Sequence, residues 1–249
     1  MRNIEKLRLL KAIAIFIVNF RRRINLYVGC SCLFILLFGT IGALVSSDNK
    51  DYGSRFAHHD FYSRLDTFKQ HMGDKRIFIE TGTYLGTGVV KALLCGFKTI
   101  YSCELSPEQF VIAKKELAGI PNVKLYLSDS AEFLSRILSS LKEPAFFWLD
   151  AHYSGGNTAQ TLVEEDSNKY IKCPLIRELQ VIATHNIKTH TILIDDVRLF
   201  GTAHHDYITL DEVINALKQI NPYYQISFAD GYEPNDILVA EIPLISSSL

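Results

Sequence analysis

The sequence predicts an α/β fold: a doubly wound, mostly parallel sheet with an antiparallel last strand, preceded by an N-terminal transmembrane helix. Three observations predict it. From Arg76 onward, short apolar runs alternate with stretches of helical periodicity. The runs are apolar throughout rather than every second residue, as in strands covered on both faces. An uncharged stretch over 24–45 is long enough to cross a bilayer.

The front of the chain comes first. Residues 1–23 hold seven Lys and Arg against the single Glu5, a net +6 in a chain of 249 residues whose formal charge is −1. The remaining residues therefore carry −7. The run Ile24 to Val45 follows Arg21-Arg22-Arg23, so the positive-inside rule predicts a single-pass anchor with a cytoplasmic N-terminus. A cleaved signal peptide has a shorter basic region and a shorter apolar stretch. Ala12–Phe20 is a second apolar run, too short to span and suited to a membrane surface. The predicted organisation is a basic tip (1–23), an anchor (24–45), a connector with a short helix (46–75) and a body (76–249). Within the connector, Phe61, Leu65 and Phe68 recur at helical spacing, which predicts a helix over His59–Gln70 packed on the body.

The body then reads strand by strand. RIFIE (76–80) leads through a Gly-rich turn into a helix over Val89–Cys95. KTIYSCE (98–104) is the second strand. Ser106 caps the next helix, with Pro107 at its first position and Gln109 three residues after the cap. Phe110, Ala113 and Leu117 are its expected buried stripe. VKLYLSD (123–129), a helix over Ala131–Leu141 and PAFFWLD (144–150) follow. After a loop of about 20 residues, a long connection by the standards of compact domains, Pro174 opens a helix buried through Leu175, Leu179 and Ile182. THTILIDD (189–196) is the fifth strand, and Thr209 with Glu212 forms a capping box for the last helix. YYQISFA (223–229) and DILVAEI (236–242), joined by a short turn, predict an antiparallel pair.

Ligands of doubly wound sheets bind beyond the carboxyl ends of the strands. Those ends are acidic here: Glu80, Glu104, Asp129, Asp150, Asp195 and Asp196. The first turn reads Glu80-Thr81-Gly82-Thr83-Tyr84-Leu85-Gly86-Thr87-Gly88. A dinucleotide fingerprint needs a glycine where Tyr84 stands, for close approach of the pyrophosphate. An acid beside this turn suits a cationic, phosphate-free nucleoside instead.

IFIETGTYLGTGV resembles motif I of the class I S-adenosylmethionine-dependent methyltransferases, in the variant of the small-molecule O-methyltransferases where a larger residue replaces the middle glycine. The resemblance implies a Rossmann-like methyltransferase sheet and S-adenosylmethionine as cofactor. It implies cofactor contacts from Glu80, Gly82, Thr83, Tyr84 and Gly86. Glu104 would take the ribose hydroxyls, and Asp129 with Ser130 would stand at the adenine. Asp129 also reads as a helix N-cap. Asp150 with Asp195-Asp196 resembles the ligand set of the metal-dependent O-methyltransferases of catechol and macrolide-sugar type, which implies Mg²⁺ or another divalent cation there. That ion would hold the acceptor and lower the pKa of its hydroxyl. His152, two residues after Asp150, is the candidate general base. The stretch FFWLDAHYSGGNTA…CPLIREL…ILIDDVRLF also resembles uncharacterised methyltransferase-like proteins of bacteria and viruses. Arg198 stands just past strand five, where it can pair with a site carboxylate, and His204-His205 are candidate substrate contacts.

The expected reaction is methyl transfer to a hydroxyl of a sugar, glycan or other small molecule. A silent nucleoside-binding scaffold, a dinucleotide-dependent oxidoreductase and metal-dependent chemistry other than methylation are the alternatives. Near-neutral charge argues against a nucleic-acid partner. The five cysteines show no zinc spacing and read as buried thiols. The charge rule places the body across the membrane from the cytosol, where S-adenosylmethionine is made, and protease protection decides between that topology and its reverse.

Overall fold

A computed structural model describes residues 64–155, 158 and 171–243. The expected membrane run (24–45), the surface run Ala12–Phe20, Cys30 and Cys32 lie outside these residues. So do the acids Glu164, Glu165 and Asp166 of the long loop. Among the described residues, no helix is long and apolar enough to cross a membrane.

The sheet has seven strands: β1 (Ile77–Thr81), β2 (Thr99–Glu104), β3 (Val123–Leu127), β4 (Phe146–Leu149), β5 (Thr191–Ile194), β6 (Gln225–Ala229) and β7 (Ile237–Glu241). Their order is β3-β2-β1-β4-β5-β7-β6. β1 to β5 run parallel, and β7 lies antiparallel to both β5 and β6. This is the doubly wound, mostly parallel sheet with an antiparallel ending that the alternation predicts. The order reverses between β1 and β4, so the crevice beyond their carboxyl ends is the switch point of the sheet.

Among the described residues, six helices flank it: α1 (residues 64–71), α2 (Thr87–Cys95), α3 (Pro107–Glu116), α4 (Ser130–Leu138), α5 (Leu175–Thr184) and α6 (Leu210–Ile220). Alternating side chains of one strand feed two cores. Phe146 and Trp148 of β4 face α1 and α2, with Phe68, Val89, Val90 and Leu93. Phe147 and Leu149 face α4, α5 and α6, with Phe133, Leu179, Ile182, Val213 and Leu217. The expected helix of the connector packs on the body in its described part. Leu65 and Phe68 are fully buried, and the Phe68 ring lies 4.9 Å from Trp148.

The capping signals take their expected geometry. Ser106 Oγ accepts from Gln109 N at 3.4 Å, and Thr209 with Glu212 makes a reciprocal capping box. Two expectations need correction. The buried stripe of α3 runs through Gln109, Ala113, Glu116 and Leu117, while Phe110 is half-buried with Lys114 over its ring at 5.4 Å. α3 lies at the end of the sheet beside the edge strand β3, so it has less apolar surface to meet. For the same reason β3 is not covered on both faces, and Leu127 is exposed.

Candidate active site

The turn from β1 into α2 needs glycine at two points. Gly82 has φ +85°, and a Cβ there would stand 2.5 Å from the carbonyl oxygen of Asp150. Gly86 has φ +89° and caps α2. Between them, Tyr84 takes φ +46°, a region that side chains disfavour. Its backbone N–H donates to Glu104 Oε2 at 2.7 Å, and Ser106 N donates to Glu104 Oε1 at 2.8 Å. Glu104 is thereby locked at the end of β2 with each oxygen holding one backbone donor. A carboxylate offers about four lone-pair directions, so it retains acceptor capacity for a ligand.

Gly82, Tyr84, Glu104, Ser128, Ser130 and Asp150 line one cavity of about 380 Å³, which also reaches His152 and Lys172. That volume is in the range of small-molecule sites. Thus the structure brings Gly82, Tyr84, Glu104, Ser130, Asp150 and His152 around one space. Four of the expected cofactor residues do not line it: Gly86 lies against Leu117, and Thr83, Asp129 and Glu80 stand behind the cavity. Thr83 is buried with its hydroxyl 2.5 Å from Ser102 Oγ. Asp129 spends its carboxylate on the α4 cap, accepting from Ala131 N at 2.9 Å, and on Arg177 at 3.6 Å. The expectation that Glu80 faces the pocket is corrected. Glu80 lies within β1, on the face that α2 covers, so its carboxylate is buried against Gly88 and accepts from Ser102 Oγ at 2.5 Å. Burial raises its pKa to about 8 against the ordinary 4.5.

The other half of the site forms where β4 and β5 end side by side. Asp150, Asp195 and Asp196 each present a carboxylate oxygen within 4.8 Å of the others. Burial and the neighbouring Asp195 and Asp196 push Asp150 well above the usual carboxylate range, although 31% of its side chain is exposed toward the cavity. Burial raises Asp195 to about 7, against the pull of Arg64. Asp196 has φ +62°, so this strand end is strained as the Tyr84 turn is.

Two arginines face these acids. Arg64 of α1 reaches Asp195 Oδ2 at 2.7 Å and Asp196 Oδ1 at 4.0 Å. Arg198 donates to Asp196 Oδ1 at 2.5 Å and to Asp236 Oδ2. Four carboxylates thus meet two guanidiniums. The remaining oxygen of Asp196, Oδ2, lies 3.1 Å from His152 Nε2, and His152 Nδ1 lies 3.6 Å from Asp150. Burial lowers the pKa of His152. His205 packs edge-on at 5.1 Å and is held neutral by burial, with a pKa of about 4. The acids fit a divalent cation in one respect the structure shows directly: Asp195 Oδ1 is buried with no hydrogen-bond partner.

Sequence reasoning anticipated Arg198 beside a site carboxylate but missed Arg64, Asp236 and Glu178. Glu178 is a buried acid behind the cavity, raised to about 7 by burial. Its signal was available, because it stands on the inward face that Leu175, Leu179 and Ile182 define. Asp236 opens an apolar strand, and nothing local marks it. Arg64 reaches the site only through tertiary packing of α1.

No protein-family model matches the chain, and no curated protein matches it in sequence. Among solved structures, the chain is similar to the O-methyltransferase from Bacillus cereus in complex with SAH, at 14% identity over 93% of this chain and 97% of that one, TM-score 0.49. It is also similar to N-methyltransferase NodS from Bradyrhizobium japonicum WM9, at 13% identity over 76% and 98%, TM-score 0.48. A putative caffeoyl-CoA O-methyltransferase from Staphylococcus aureus shows 12% identity over 93% and 100%, TM-score 0.47.

Proposed function

We propose that this chain transfers a methyl group from S-adenosylmethionine to a hydroxyl of a small molecule, a sugar or glycan being the best candidate. The observation that carries the reading is the cavity at the switch point, with Glu104 locked at one end and Asp150 at the other. The glycines let the β1 turn approach a ligand closely, and Tyr84 in place of a middle glycine disfavours a pyrophosphate. A nucleoside ribose would use the spare acceptor directions of Glu104, and the serines at the start of α4 would flank the base. The sulfonium would then point toward Asp150, where negative charge favours it.

In the transfer, the acceptor oxygen attacks the methyl carbon in line. The carbon–sulfur bond breaks with its electron pair going to sulfur, and the hydroxyl proton goes to His152 or Asp150. Charge is neutralised as the bond breaks, so alignment and exclusion of water supply most of the acceleration. A divalent cation held at this strand end, with Asp196 among its ligands, would supply Lewis-acid polarisation of the acceptor oxygen.

Incubating the purified chain with methyl-labelled S-adenosylmethionine and small-molecule extracts tests the reading. Label should move to an extractable, base-stable product and should fall at least about 100-fold in Asp150→Asn, as loss of an acid–base group predicts. Cofactor binding without transfer to any fraction supports the scaffold alternative and contradicts the proposal.

A further inference from the structure

The strand-end cluster holds two overlapping sets of potential ligands, and the structure treats them differently. One is Asp150, Asp195 and Asp196; the other is His152, Asp196 and His205, again with ligand atoms within 4.8 Å of one another. On the carboxylate side a cation is already built in. The Arg64 guanidinium sits 2.7 Å from Asp195 and 4.0 Å from Asp196, so a metal ion there meets like charge at short range. On the imidazole side, Arg198 also stands 2.5 Å from Asp196, but it takes only Oδ1, and Oδ2 lies 3.1 Å from His152 Nε2.

His205 is the decisive residue. It is 2% exposed, and neither ring nitrogen has a hydrogen-bond partner among the described residues. A buried imidazole in that state is costly unless something binds it. His152 Nε2 also meets Ser154 Oγ at 2.8 Å, a contact that a bound ion would displace.

We infer that His152, Asp196 and His205 form a mixed nitrogen–oxygen cradle for a borderline divalent ion of the zinc and cobalt class, beside the three-carboxylate cluster rather than on it. Imidazole ligands select such ions, whereas an all-oxygen set suits magnesium. The ion's role beside the acceptor rests on the proposed methyl transfer; its binding does not. As a ligand, His152 does not take the acceptor's proton, and that duty falls to Asp150, which reaches the cavity.

The test is a Co²⁺ titration of the untagged, chelator-stripped chain, followed by visible absorption, with Zn²⁺ in competition and Mg²⁺ in parallel. We expect a ligand-field band at one equivalent, displaced by Zn²⁺ and not by Mg²⁺. His205→Phe should weaken Co²⁺ binding at least about 30-fold and abolish the Zn²⁺-induced rise in Tm, while the metal-free variant melts no lower than the parent, since it loses only unpartnered polar atoms. Asp195→Asn, which removes a charge beside the cradle but no ligand, should weaken Co²⁺ binding less than His205→Phe does. Absence of a band, loss of the band in Asp195→Asn but not in His205→Phe, or displacement by Mg²⁺ overturns the cradle. Calorimetry with S-adenosylhomocysteine on the same sample separates the two ideas: an intact Co²⁺ band without nucleoside binding keeps the cradle and removes the methyl-transfer reading.

Discussion

Gly82 is where two strand ends nearly touch. Its φ of +85° excludes easy substitution, and the Asp150 carbonyl stands 2.5 Å from any Cβ placed there. Gly82→Ala should therefore cost about 2 kcal/mol or more, the left-handed backbone alone accounting for 1–2. Chemical denaturation measures it, and an unchanged midpoint would show that the turn can relax. Glu104 carries a different burden. Glu104→Gln removes charge and one backbone acceptor, so nucleoside affinity should fall about 10-fold or more, in line with the worth of a hydrogen bond to a charged group. Calorimetry of the variant checks this against a modest loss of Tm. Both residues were legible in the sequence, because glycine spacing and a strand-end acid are local patterns. Glu80 was misplaced because the apolar run reads as ending there, whereas β1 continues to Thr81 and leaves Glu80 inside the strand, on the same face as Phe78 and toward α2.

At the scale of elements, α1 links the part of the chain before the body to the site itself. Leu65 and Phe68 fill the core over Trp148, while Arg64 on the same helix reaches Asp195. Phe68→Ala should cost about 3–5 kcal/mol, the range for a buried aromatic truncation. It should also loosen the carboxylate cluster, seen as a change in the pH dependence of cofactor binding. A loss below about 1 kcal/mol would mean that α1 is only loosely docked. The order and type of the body elements were legible from apolar runs and caps, since parallel strands buried on both faces leave an unmistakable composition. The exposed face of β3 was not, because edge position is a property of the sheet. Arg64 was not legible either: its partner lies across the fold, and helical periodicity reports only which face is apolar.

For the whole molecule, buried acids set the response to pH. Glu80 sits at about 8, and Glu178 and Asp195 at about 7, each raised chiefly by burial. In the unfolded chain they ionise near the ordinary carboxylate values. Their contribution is complete below those values and is lost as pH rises through the folded ones. His190 at about 3 and His205 at about 4 act in the opposite sense, gaining stability as pH rises to about 6.5 and then no more. Between pH 6.5 and 8 these acids, with Asp150 in the same sense, act alone, so stability should fall by about 3 kcal/mol or more, at roughly 1.4 kcal/mol per pH unit per proton released. Scanning calorimetry should show Tm falling over that window and a flatter fall in Glu80→Gln, whose amide mimics the protonated acid. A flat profile in the parent chain would contradict the burial of these groups.

The charge split of the chain has a counterpart in this picture, since part of the acidity of the body is gathered at the ends of β4 and β5. The methyl-transfer reading of that end depends on the cavity beside it holding a nucleoside. Calorimetric titration of the purified chain with S-adenosylhomocysteine, and separately with NAD, tests this most directly. We expect one molecule of S-adenosylhomocysteine bound per chain, weakened in Glu104→Gln, and no heat with NAD. Binding of NAD alone, or S-adenosylhomocysteine binding that Glu104→Gln leaves unchanged, would contradict it.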